Sequence, residues 1–473
     1  MHLEALLKEV DIIKSEGKVN GITGVTDDSR KVTPGYLFVA LRGGKADGHK
    51  FIGEAVKNGA VALLVEEEVT TNIPYFVVPN TRKTFSRIVS NYYGNPSEHM
   101  KIIGITGTNG KTTTSYLLSS IYSDSICFST IKYFTQDKEI KATNTTPSPL
   151  ILQKELYNAL NKGIKIAILE VSSHGIVQNR ISYIDFDYGV FTNISRDHLD
   201  YHKTFKEYMD AKSRFFESLG KEKMALINID DSNAPYFIKN TKSRVVTYGF
   251  KKGNIQGTII ENTIGGLILS IEGMGRKLEL RSSLIGSHNA YNILAAAAVA
   301  IGDNVSGSRI IEGIEKAPPP PGRMEKIDIP EPISVIVDYA HSPEALNSVI
   351  SSLKDFGHQR VITVFGAGGD RDRGKRAIMG MVASKLSDIV ILTSDNPRSE
   401  DPQAIIEDIL NGVDGGNLYR IPDRKEAIFK ALDIAKEGDI VLIAGKGHEE
   451  YQEIGGNRIP FSDRECVKEY FRK

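Results

Sequence analysis

A glycine-rich segment at residues 107–113 has the residue types that bind phosphate groups. Its members are Gly107, Thr108, Asn109, Gly110, Lys111, Thr112 and Thr113. Glycines let backbone N–H groups approach phosphate oxygens, a lysine adds a formal positive charge, and a threonine hydroxyl can bind Mg²⁺. The position five residues before Gly110 is Ile105, so the segment departs from the usual GxxxxGK[ST] pattern and predicts a shorter loop. A glycine-rich turn without a ligand is the weaker interpretation.

Two polar clusters follow predicted strands and could supply magnesium ligands beside this loop. Glu170 ends the apolar run IAILE, and His198 lies in SRDHLD, shortly after the run YGVFTNI. In open α/β sheets, ligands bind at the carboxyl ends of the strands, and carboxylate and imidazole groups both bind metals. Each residue alone has another interpretation, since the glutamate could cap a helix and the histidine could be structural.

Lys212 lies on the apolar face of a predicted helix over residues 204–219. The segment opens with a capping box, Thr204 with Glu207, and its apolar stripe includes Phe215. A lysine that faces the interior tends towards the neutral amine, which carbon dioxide can convert into an anionic carbamate able to bind Mg²⁺. From the residues alone, the favoured alternative is that the ammonium group reaches solvent.

Three further polar clusters have residue types suited to binding a nucleotide. Asn289 lies in SHNAYN before an alanine-rich helix pattern, and Arg323 lies in GRME after a run of prolines. Asp338 and His341 lie in DYAHSP after a strand pattern. Such groups could bind a base, a ribose or phosphates at a domain junction. Each cluster could equally form a cap or a turn, so singly they are weak indicators.

The elements that must position these residues are those of an α/β protein with three domains. Short β-like runs predict a small first domain over residues 1–98, which ends at the polar break NYYGNPSEHM. Residues 99–322 alternate apolar strands with helical patterns, which predicts a mostly parallel sheet, with extra, mostly antiparallel strands at about 245–285. The proline run in APPPPGR ends this domain. Four buried-strand patterns then predict a second parallel sheet over residues 323–473.

The composition limits the classes of partner. The chain has 473 residues, with Lys plus Arg equal to Asp plus Glu at 59 each, so no overall charge would attract nucleic acid or an anionic membrane. Cys127 and Cys466 lie far apart without metal-site spacing, which fits a reducing compartment. No apolar run reaches the length of a membrane span, and the N-terminus has no signal-peptide pattern. We therefore expect a cytoplasmic protein without integral membrane association or nucleic-acid binding.

The order of the motifs along the chain resembles the Mur ligase family over nearly the full length. The matching motifs are GTNGKTT, EVSSHG, RDHLDYH, the helix lysine, SHNAYN, GRME and DYAHSP. The resemblance implies a domain for a substrate nucleotide, a central P-loop ATPase domain and a mobile, Rossmann-like last domain. Together these domains would form amide bonds in the stem peptide of peptidoglycan.

The resemblance also implies roles for the residues singled out above. Thr112, Glu170 and His198 would bind Mg²⁺, and Lys212 would be carbamylated, which reverses the interpretation drawn from the residues alone. The residues implied to contact ATP, besides those at 107–113, are Asn289, Arg323 and Asp338. The residues implied to take part in catalysis are Lys111, Glu170, His198, Lys212 and His341.

Two sets of residues match family contacts to UDP-N-acetylmuramoyl-L-alanyl-D-glutamate. The residues matched to the uridine diphosphate moiety are Asp27, Ser29, Gly44, Lys45 and Ala46. The residues matched to the muramoyl dipeptide are Asn144, Thr145, Thr146, Ser172, Gln178 and Arg180.

The second substrate is indicated by a motif that resembles that of family members adding meso-diaminopimelate. Its residues are Asp395, Asn396, Pro397 and Arg398. Arg398 suits a bidentate pair with a carboxylate, which the distal end of diaminopimelate has and lysine lacks. The alternative is an Asn-Pro turn with a solvated arginine. The remaining matched residues are Arg371, Gly445 and Glu449, of which Glu449 could attract an ammonium group.

We therefore predict a monomeric, ATP-dependent ligase that adds meso-diaminopimelate to UDP-N-acetylmuramoyl-L-alanyl-D-glutamate through an acyl phosphate. One alternative is a lysine-adding member of the family, or another Mur or folylpolyglutamate-type ligase, and the DNPR motif argues against it. The other is an idle nucleotide-binding module that switches partner binding by domain motion. The full set of magnesium and acceptor residues argues against that module.

Overall fold

The computed structural model describes residues 1–19, 21–43, 46–357 and 360–472. The chain is a mixed α/β protein of three domains, each built around one main sheet, as the sequence predicts. None of the helices in these described ranges has the length and apolar character needed to cross a membrane.

The first domain is a small α/β unit. Its strands are β1 (Lys14–Glu16), β2 (Gly24–Thr26), β3 (Tyr36–Val39), β4 (Ala60–Val65) and β5 (Tyr75–Val77). Its helices are α1 (Leu3–Leu6), α2 (Ile52–Lys57) and α3 (Thr81–Tyr92). The strand order is β1-β5-β4-β3-β2, with β1 antiparallel and the others parallel. The apolar runs of β3 and β4 contribute to cores on both faces of the sheet, which explains their lack of polar alternation.

The second domain contains the longest sheet. Its strands are β6 (Lys101–Thr106), β7 (Ile126–Phe128), β8 (Lys132–Phe134), β9 (Glu139–Lys141), β10 (Ile166–Glu170), β11 (Tyr188–Phe191), β12 (Met224–Asn228), β13 (Arg244–Gly249), β14 (Ile255–Thr263), β15 (Gly266–Gly273) and β16 (Arg276–Ser282). Its helices are α4 (Lys111–Ile121), α5 (Pro149–Asn161), α6 (Ser173–Val177), α7 (Leu199–His202), α8 (Phe205–Glu217), α9 (Ala234–Asn240), α10 (Ser287–Gly302) and α11 (Gly307–Glu315). Helices α4, α10 and α11 cover one face, and α5 and α8 cover the other.

The order of this sheet is β16-β15-β14-β13-β12-β11-β6-β10-β7-β8-β9. Strand β6 lies between β11 and β10, and both pair with it in parallel. The antiparallel strands predicted near 245–285 begin only at β14, because β13 continues the parallel arrangement beside β12. The loops after β6, β10 and β11 therefore meet at one edge of the sheet.

The last domain repeats this arrangement with a second, mostly parallel sheet. Its strands are β17 (Glu325–Ile327), β18 (Ser334–Asp338), β19 (Val361–Phe365), β20 (Ile389–Leu392), β21 (Asn417–Arg420) and β22 (Ile440–Ala444), followed by a hairpin of β23 (Tyr451–Ile454) and β24 (Asn457–Pro460). Its helices are α12 (Pro343–Lys354), α13 (Gly374–Leu386), α14 (Pro402–Leu410), α15 (Arg424–Ile434) and α16 (Asp463–Phe471). The order is β17-β18-β22-β19-β20-β21, so the loops after β18, β22, β19 and β20 lie side by side.

Candidate active site

The glycine-rich loop between β6 and α4 can exist only with glycine at two positions. Gly107 has φ +151°, and a Cβ placed on it would lie 1.9 Å from Oγ1 of Thr192. Gly110 has φ +88°, and its Cβ would lie 2.3 Å from Oδ1 of Asn292. Any larger residue would push the loop away from its neighbours, so the close turn at the start of α4 depends on these glycines.

Hydrogen bonds from the segment after β11 fix the shape of this loop. The Asn109 carbonyl accepts from Oγ1 of Thr192 at 2.7 Å and from Nδ2 of Asn193 at 3.1 Å. The Asn109 N–H donates to Oδ1 of Asn193 at 3.0 Å, and Oγ1 of Thr108 lies 3.1 Å from the hydroxyl of Tyr208. The loop is thus held in position before any ligand binds, with the N-terminus of α4 directed at its concave side.

Two lysine amines donate to the same carbonyl oxygen of this loop. Nζ of Lys111 lies 2.8 Å from the carbonyl oxygens of both Gly107 and Thr108, and Nζ of Lys212 lies 2.8 Å from that of Gly107. Burial lowers the pKa of Lys111. Burial lowers the pKa of Lys212 much further, and the nearby Lys111 adds to the shift. Lys212 is only 1 % exposed, so its amine does not reach solvent, contrary to the interpretation from the residues alone.

Helix α8 places Lys212 in the interior as its sequence predicts. The Oγ1 of Thr204 accepts a hydrogen bond from the N–H of Glu207, so the predicted capping box supplies the first of its two bonds. Tyr208 and Phe215 are buried on the same face as Lys212. Nζ of Lys212 lies 4.8 Å from the centre of the Tyr208 ring.

Glu170 and His198 lie near these lysines at the strand ends. The carboxylate of Glu170 is fully buried and accepts hydrogen bonds from the N–H and the hydroxyl of Thr130, at 2.9 and 3.0 Å. His198 has φ +53° and a side chain that is 44 % exposed, and the partial loss of hydration at the cavity lowers its pKa. Burial alone would raise the pKa of the neighbouring Asp197. Electrostatic interactions with His198 and His341 exceed this effect, so the pKa of Asp197 is lowered.

These groups line one cavity of about 200 Å³ at the edge of the second sheet. Its lining residues are Thr108, Asn109, Gly110, Lys111, Thr112, Thr113, Thr130, Thr145, Glu170, Ser172, Ser173, Asp197, His198, Tyr208, Lys212, Arg323, Tyr339 and His341. The last domain contributes Tyr339 and His341, while Arg323 lies at the junction with its side chain 4.7 Å from the Tyr339 ring. Nε of Arg323 is buried and has no hydrogen-bond partner among the described residues, which leaves it available to an anion. We refer to this cavity as the phosphate cavity.

A second, smaller cavity of about 130 Å³ lies where the first and second domains meet. It is lined by Asp27, Leu41, Arg82, Phe85, Asn144, Ser148, Pro149, Gln178 and Arg180. Arg180 donates to the Thr146 carbonyl at 2.7 Å and to Oε1 of Gln178, and Thr146 lies 3.0 Å from the hydroxyl of Ser172. Four of the six predicted dipeptide contacts, Thr146, Ser172, Gln178 and Arg180, therefore form one connected group that reaches from this cavity to the phosphate cavity.

A third cavity, of about 500 Å³, lies between the strand ends of the second and last sheets. The residues predicted to bind the acceptor that line it are Arg371, Asp395, Asn396, Arg398, Gly445 and Glu449. Asp197, His198, Tyr339 and His341 line both this cavity and the phosphate cavity, so the two adjoin. We refer to it as the acceptor cavity.

Charged groups from separate loops converge on the acceptor cavity. Arg398, at φ +52°, donates from Nη1 to the Gly369 carbonyl at 2.5 Å, and its Nε lies 3.4 Å from Oε2 of Glu453. Oδ2 of Asp395 is buried without a hydrogen-bond partner among the described residues. A Cβ on Gly445 would lie 2.6 Å from that oxygen, so glycine leaves room for the carboxylate. The cavity thus offers both a guanidinium group and unpaired carboxylate oxygen.

Several predicted residues do not line these three cavities. They are Ser29, Ala46, Gly107, Thr146, Asn289, Asp338 and Pro397. Asp338 accepts hydrogen bonds from the N–H groups of Met324 and Ala340 at 2.7 and 2.8 Å, so here its carboxylate supports the chain after the proline run. Burial raises the pKa of Asp338. Gly44 and Lys45 lie outside the described residues.

The cavities also contain residues to which the sequence interpretation gave no role. Arg82 and Phe85 lie on α3 and have no local motif that could have revealed them. Asp197, Tyr339 and Lys375 lie within or next to the motifs discussed above, but only the fold shows that they face the cavities. Nζ of Lys375 donates to the His341 carbonyl at 2.8 Å, and burial lowers the pKa of Lys375.

The chain matches three family descriptions in succession. They are "Mur ligase family, catalytic domain" over residues 21–96, "Mur ligase middle domain" over 105–300 and "Mur ligase, glutamate ligase domain" over 322–447.

Curated relatives match over nearly their full lengths. A UDP-N-acetylmuramoyl-L-alanyl-D-glutamate--2,6-diaminopimelate ligase from Bacteroides thetaiotaomicron is 41% identical, with 100% of both chains covered. A relative of the same name from Aquifex aeolicus is 42% identical, covering 95% of this chain and 93% of its own.

Solved structures share the fold. A structure carrying the same ligase name aligns with a TM-score of 0.72 at 34% identity, covering 100% of this chain and 99% of its own. The ADP complex of MurF ligase from Thermotoga maritima aligns with a TM-score of 0.68 at 20% identity, covering 94% of this chain and 96% of its own.

Proposed function

The chain belongs to the Mur ligase family, and we propose that the three cavities described above bind the three substrates of one amide-forming reaction. It is an ATP-dependent ligase of peptidoglycan synthesis that adds 2,6-diaminopimelate to UDP-N-acetylmuramoyl-L-alanyl-D-glutamate, the activity named for its full-length relatives. The observation that carries the assignment of the cavities is that the phosphate and acceptor cavities adjoin through Asp197, His198, Tyr339 and His341. An activated carboxyl group formed in one cavity would meet an amine held in the other.

The first step places ATP in the phosphate cavity. The N–H groups at the start of α4 and the amine of Lys111 would bind the phosphates, as would Arg323, whose Nε is otherwise unpaired. A carboxylate oxygen of the glutamyl residue attacks the γ-phosphorus, the bond to the bridging oxygen breaks, and ADP leaves. The product is an acyl phosphate, and the positive charges of Lys111 and Arg323 stabilise the negative charge that develops.

The second step takes place where the two cavities meet. The free amine of the acceptor attacks the acyl carbon, the tetrahedral intermediate expels phosphate, and the amine loses its proton as the amide forms. The loops that precede helices α4 and α13 position the reacting groups. No protein side chain forms a covalent bond with a substrate in this step. Substrates that fill both cavities would displace water, which would otherwise hydrolyse the acyl phosphate.

Magnesium fits the donor groups of the phosphate cavity. Glu170 is a fully buried carboxylate whose described hydrogen bonds come from neutral donors on Thr130, so a cation beside it would offset its burial. The neutral ring of His198 has a free lone pair, and Thr112 adds a hydroxyl. No cluster of three or more His, Cys, Asp or Glu side chains suited to a metal occurs in the described ranges. When bound, Mg²⁺ would neutralise charge on the phosphate oxygens.

We further propose that Lys212 carries a carbamate. Its low pKa supplies the neutral amine that reacts with carbon dioxide, forming the N–C bond and releasing one proton. The resulting anion would attract the nearby ammonium group of Lys111 and offer the metal a second carboxylate-like ligand.

The two remaining substrates fit the other two cavities. UDP-N-acetylmuramoyl-L-alanyl-D-glutamate would extend from the cavity at Asp27 and Arg180 past Ser172 to the phosphate cavity, with Asn144 and Gln178 along its path. Diaminopimelate would place its distal carboxylate on Arg398 and an ammonium group near Asp395 and Glu449. We propose that the reaction takes place in the cytoplasm, where ATP is made, and that the enzyme is a monomer.

Release of phosphate from ATP tests this function. With UDP-N-acetylmuramoyl-L-alanyl-D-glutamate present, we expect strong release with meso-diaminopimelate as the acceptor and little with L-lysine, since lysine has no distal carboxylate to pair with Arg398. Preference for lysine would contradict the acceptor assignment while leaving the ligase reaction intact. No release with either amino acid would contradict the function itself.

Lys111→Ala provides the inactive control for this assay. We expect no amide product from the variant, because the charge that binds the γ-phosphate is lost. Its thermal unfolding temperature should stay close to that of the wild type, since the Lys111 side chain makes its described hydrogen bonds only to its own loop. Substantial turnover by a folded Lys111→Ala variant would contradict the proposed role.

A further inference from the structure

A fully buried lysine lies beneath the acceptor cavity. Lys446 follows β22, between Gly445 and Gly447, and its side chain has no exposed surface. Neither of the flanking glycines could be replaced without strain, because their φ angles are +113° and +51°. The loop therefore directs the lysine inward at the place where Gly445 and Glu449 reach the cavity.

Lys446 forms a closed triangle of hydrogen bonds with two residues that line the acceptor cavity. Its Nζ donates to Oδ1 of Asn396 at 3.1 Å and to Oε2 of Glu449 at 3.0 Å. Nδ2 of Asn396 donates to the same Oε2 of Glu449 at 2.8 Å. The triangle joins the loop after β20 to the loop after β22.

The orientation of the Asn396 amide follows from its neighbours. Its Oδ1 accepts from Lys446 and also from the N–H of Glu453 at 2.9 Å. Its Nδ2 donates to the carboxylate of Glu449. A flipped amide would place its NH₂ group against the donors of Lys446 and Glu453, and its oxygen against the carboxylate of Glu449. Lys446 and Glu453 thus determine the orientation of the Asn396 amide beside the acceptor cavity.

The charge on Lys446 is balanced by Glu449, with which it is paired in the described part of the chain. A buried ammonium group without a partner would be costly, and so would the carboxylate of Glu449 if the lysine were removed. Because Oε2 of Glu449 already accepts from both Lys446 and Asn396, its other oxygen is the one left to the acceptor cavity.

We propose that Lys446 is a positioning residue for the acceptor amino acid, holding Asn396 and Glu449 in the arrangement that binds an amino acid with an ammonium group. The inference rests on the proposed function of the acceptor cavity, and it adds a residue that does not itself touch the substrate. Lys446 should therefore affect the affinity for the acceptor and leave the affinity for ATP and for the nucleotide substrate unchanged.

Steady-state kinetics of Lys446→Met test this inference. We expect the KM for meso-diaminopimelate to rise by about tenfold or more, the effect expected when the acceptor loses one charge-assisted hydrogen bond to a displaced Glu449. The KM values for ATP and the nucleotide substrate should stay within about twofold of those of the wild type. Lys468→Met is the matched control, because Lys468 also pairs with a glutamate three residues away, Glu465, but at an exposed position on α16. The control should leave all three KM values unchanged. An unchanged KM for diaminopimelate in Lys446→Met, or an equal rise in all three KM values, would overturn the proposal.

A double variant covers the case in which Lys446→Met does not fold. Lys446→Met/Glu449→Gln removes both charges of the buried pair, so it leaves no unpaired charge in the interior. Because Lys446 holds Asn396 as well as Glu449, the KM for diaminopimelate in the double variant should equal or exceed that of Glu449→Gln alone. A double variant with a wild-type KM, or with a KM below that of Glu449→Gln alone, would overturn the proposal. Failure of the proposed function itself is distinguishable, because the wild-type enzyme would then release no phosphate with diaminopimelate.

Discussion

Lys111 and Lys212 donate to the same carbonyl oxygen, that of Gly107, and the function proposed above gives them different roles. Lys111 lies at the first position of α4, next to the place where phosphates would bind, and an ammonium group is useful there. Lys212 comes from α8 and is more deeply enclosed, with the ring of Tyr208 against it. Two ammonium groups at one carbonyl would repel each other, and the proposed carbamate on Lys212 would replace this repulsion with an attraction.

Replacement of Lys212 separates these roles. We expect Lys212→Ala to lose nearly all ligase activity, and added short carboxylates such as formate or acetate to restore part of it by occupying the place of the carbamate. Lys111→Ala is the matched control, since a carboxylate cannot replace a cation. The measurement is amide formation with and without the added anion. Full activity of Lys212→Ala without additive, or equal rescue of both variants, would contradict the carbamate.

The two lysines and two other residues show how far single residues can be interpreted from sequence. The stripe on α8 predicts that Lys212 faces inward, but the residues alone favoured an amine at the surface, because periodicity gives direction and not depth. Asp338 was matched to ATP, whereas here its carboxylate holds two backbone N–H groups. Asn396 could be placed at the acceptor by its motif, but its contact with Lys446, 50 residues away, arises only when two loops meet.

At the scale of elements, the strand ends explain why motifs distant in sequence form one site. Residues after β6, β10 and β11 meet because these strands are parallel neighbours, and the loops after β18, β19, β20 and β22 meet in the same way. The apolar runs predicted these strands because buried parallel strands lack polar alternation. Their order in each sheet, the parallel pairing of β13 and the position of Arg82 on α3 depend on packing between distant segments, which periodicity does not encode.

One ion-pair cluster holds the loop of Arg371 against the loop of Arg398. Glu400 accepts from both terminal nitrogens of the buried Arg376, at 2.9 and 2.8 Å, and from the N–H of Asp370 at 2.6 Å. The hydrogen bond from Arg376 is the largest cause that lowers the pKa of Glu400, from 4.5 to about 2. Because the pKa is lower in the folded state, the pair stabilises the protein above the unfolded pKa and loses this effect as the pH falls from about 4.5 towards 2.

Glu400→Gln should therefore lower the thermal unfolding temperature at neutral pH more than at about pH 3. Arg376 keeps Asp408 as a partner in the variant, so we expect a destabilised but folded protein. Glu407→Gln is the matched control, since Glu407 pairs with Arg420 at an exposed position and such pairs contribute little. Thermal unfolding of the three proteins across this pH range is the measurement. A difference between Glu400→Gln and the wild type that does not shrink with falling pH would contradict the linkage.

At the scale of the whole molecule, the reaction needs groups from separate domains to meet. The cavity at Asp27 lies between the first two domains, and the acceptor cavity lies between the second and last. The chain passes to the last domain near Gly322, whose φ is +65°, and a Cβ there would lie 2.2 Å from backbone atoms of both Gly447 and His448. The next residue, Arg323, lines the phosphate cavity, and the loop at 445–449 lines the acceptor cavity. Their close contact therefore links the two cavities.

Gly322→Ala should weaken both cavities at once. The added Cβ would force the backbone near Arg323 away from the loop at 445–449, so we expect higher KM values for ATP and for diaminopimelate and a lower kcat. Gly438→Ala is the matched control, because Gly438 has a similar φ of +84° but open space around its Cβ. The control should lose only about 1–2 kcal/mol of stability from the left-handed backbone, with unchanged KM values. Steady-state kinetics and thermal unfolding of both variants distinguish the effect of backbone strain at the glycine from the effect of moving Arg323 away from the loop at 445–449. If the two variants behaved alike, backbone strain alone would explain the effect, and the contact between Gly322 and Gly447 would not couple the two cavities.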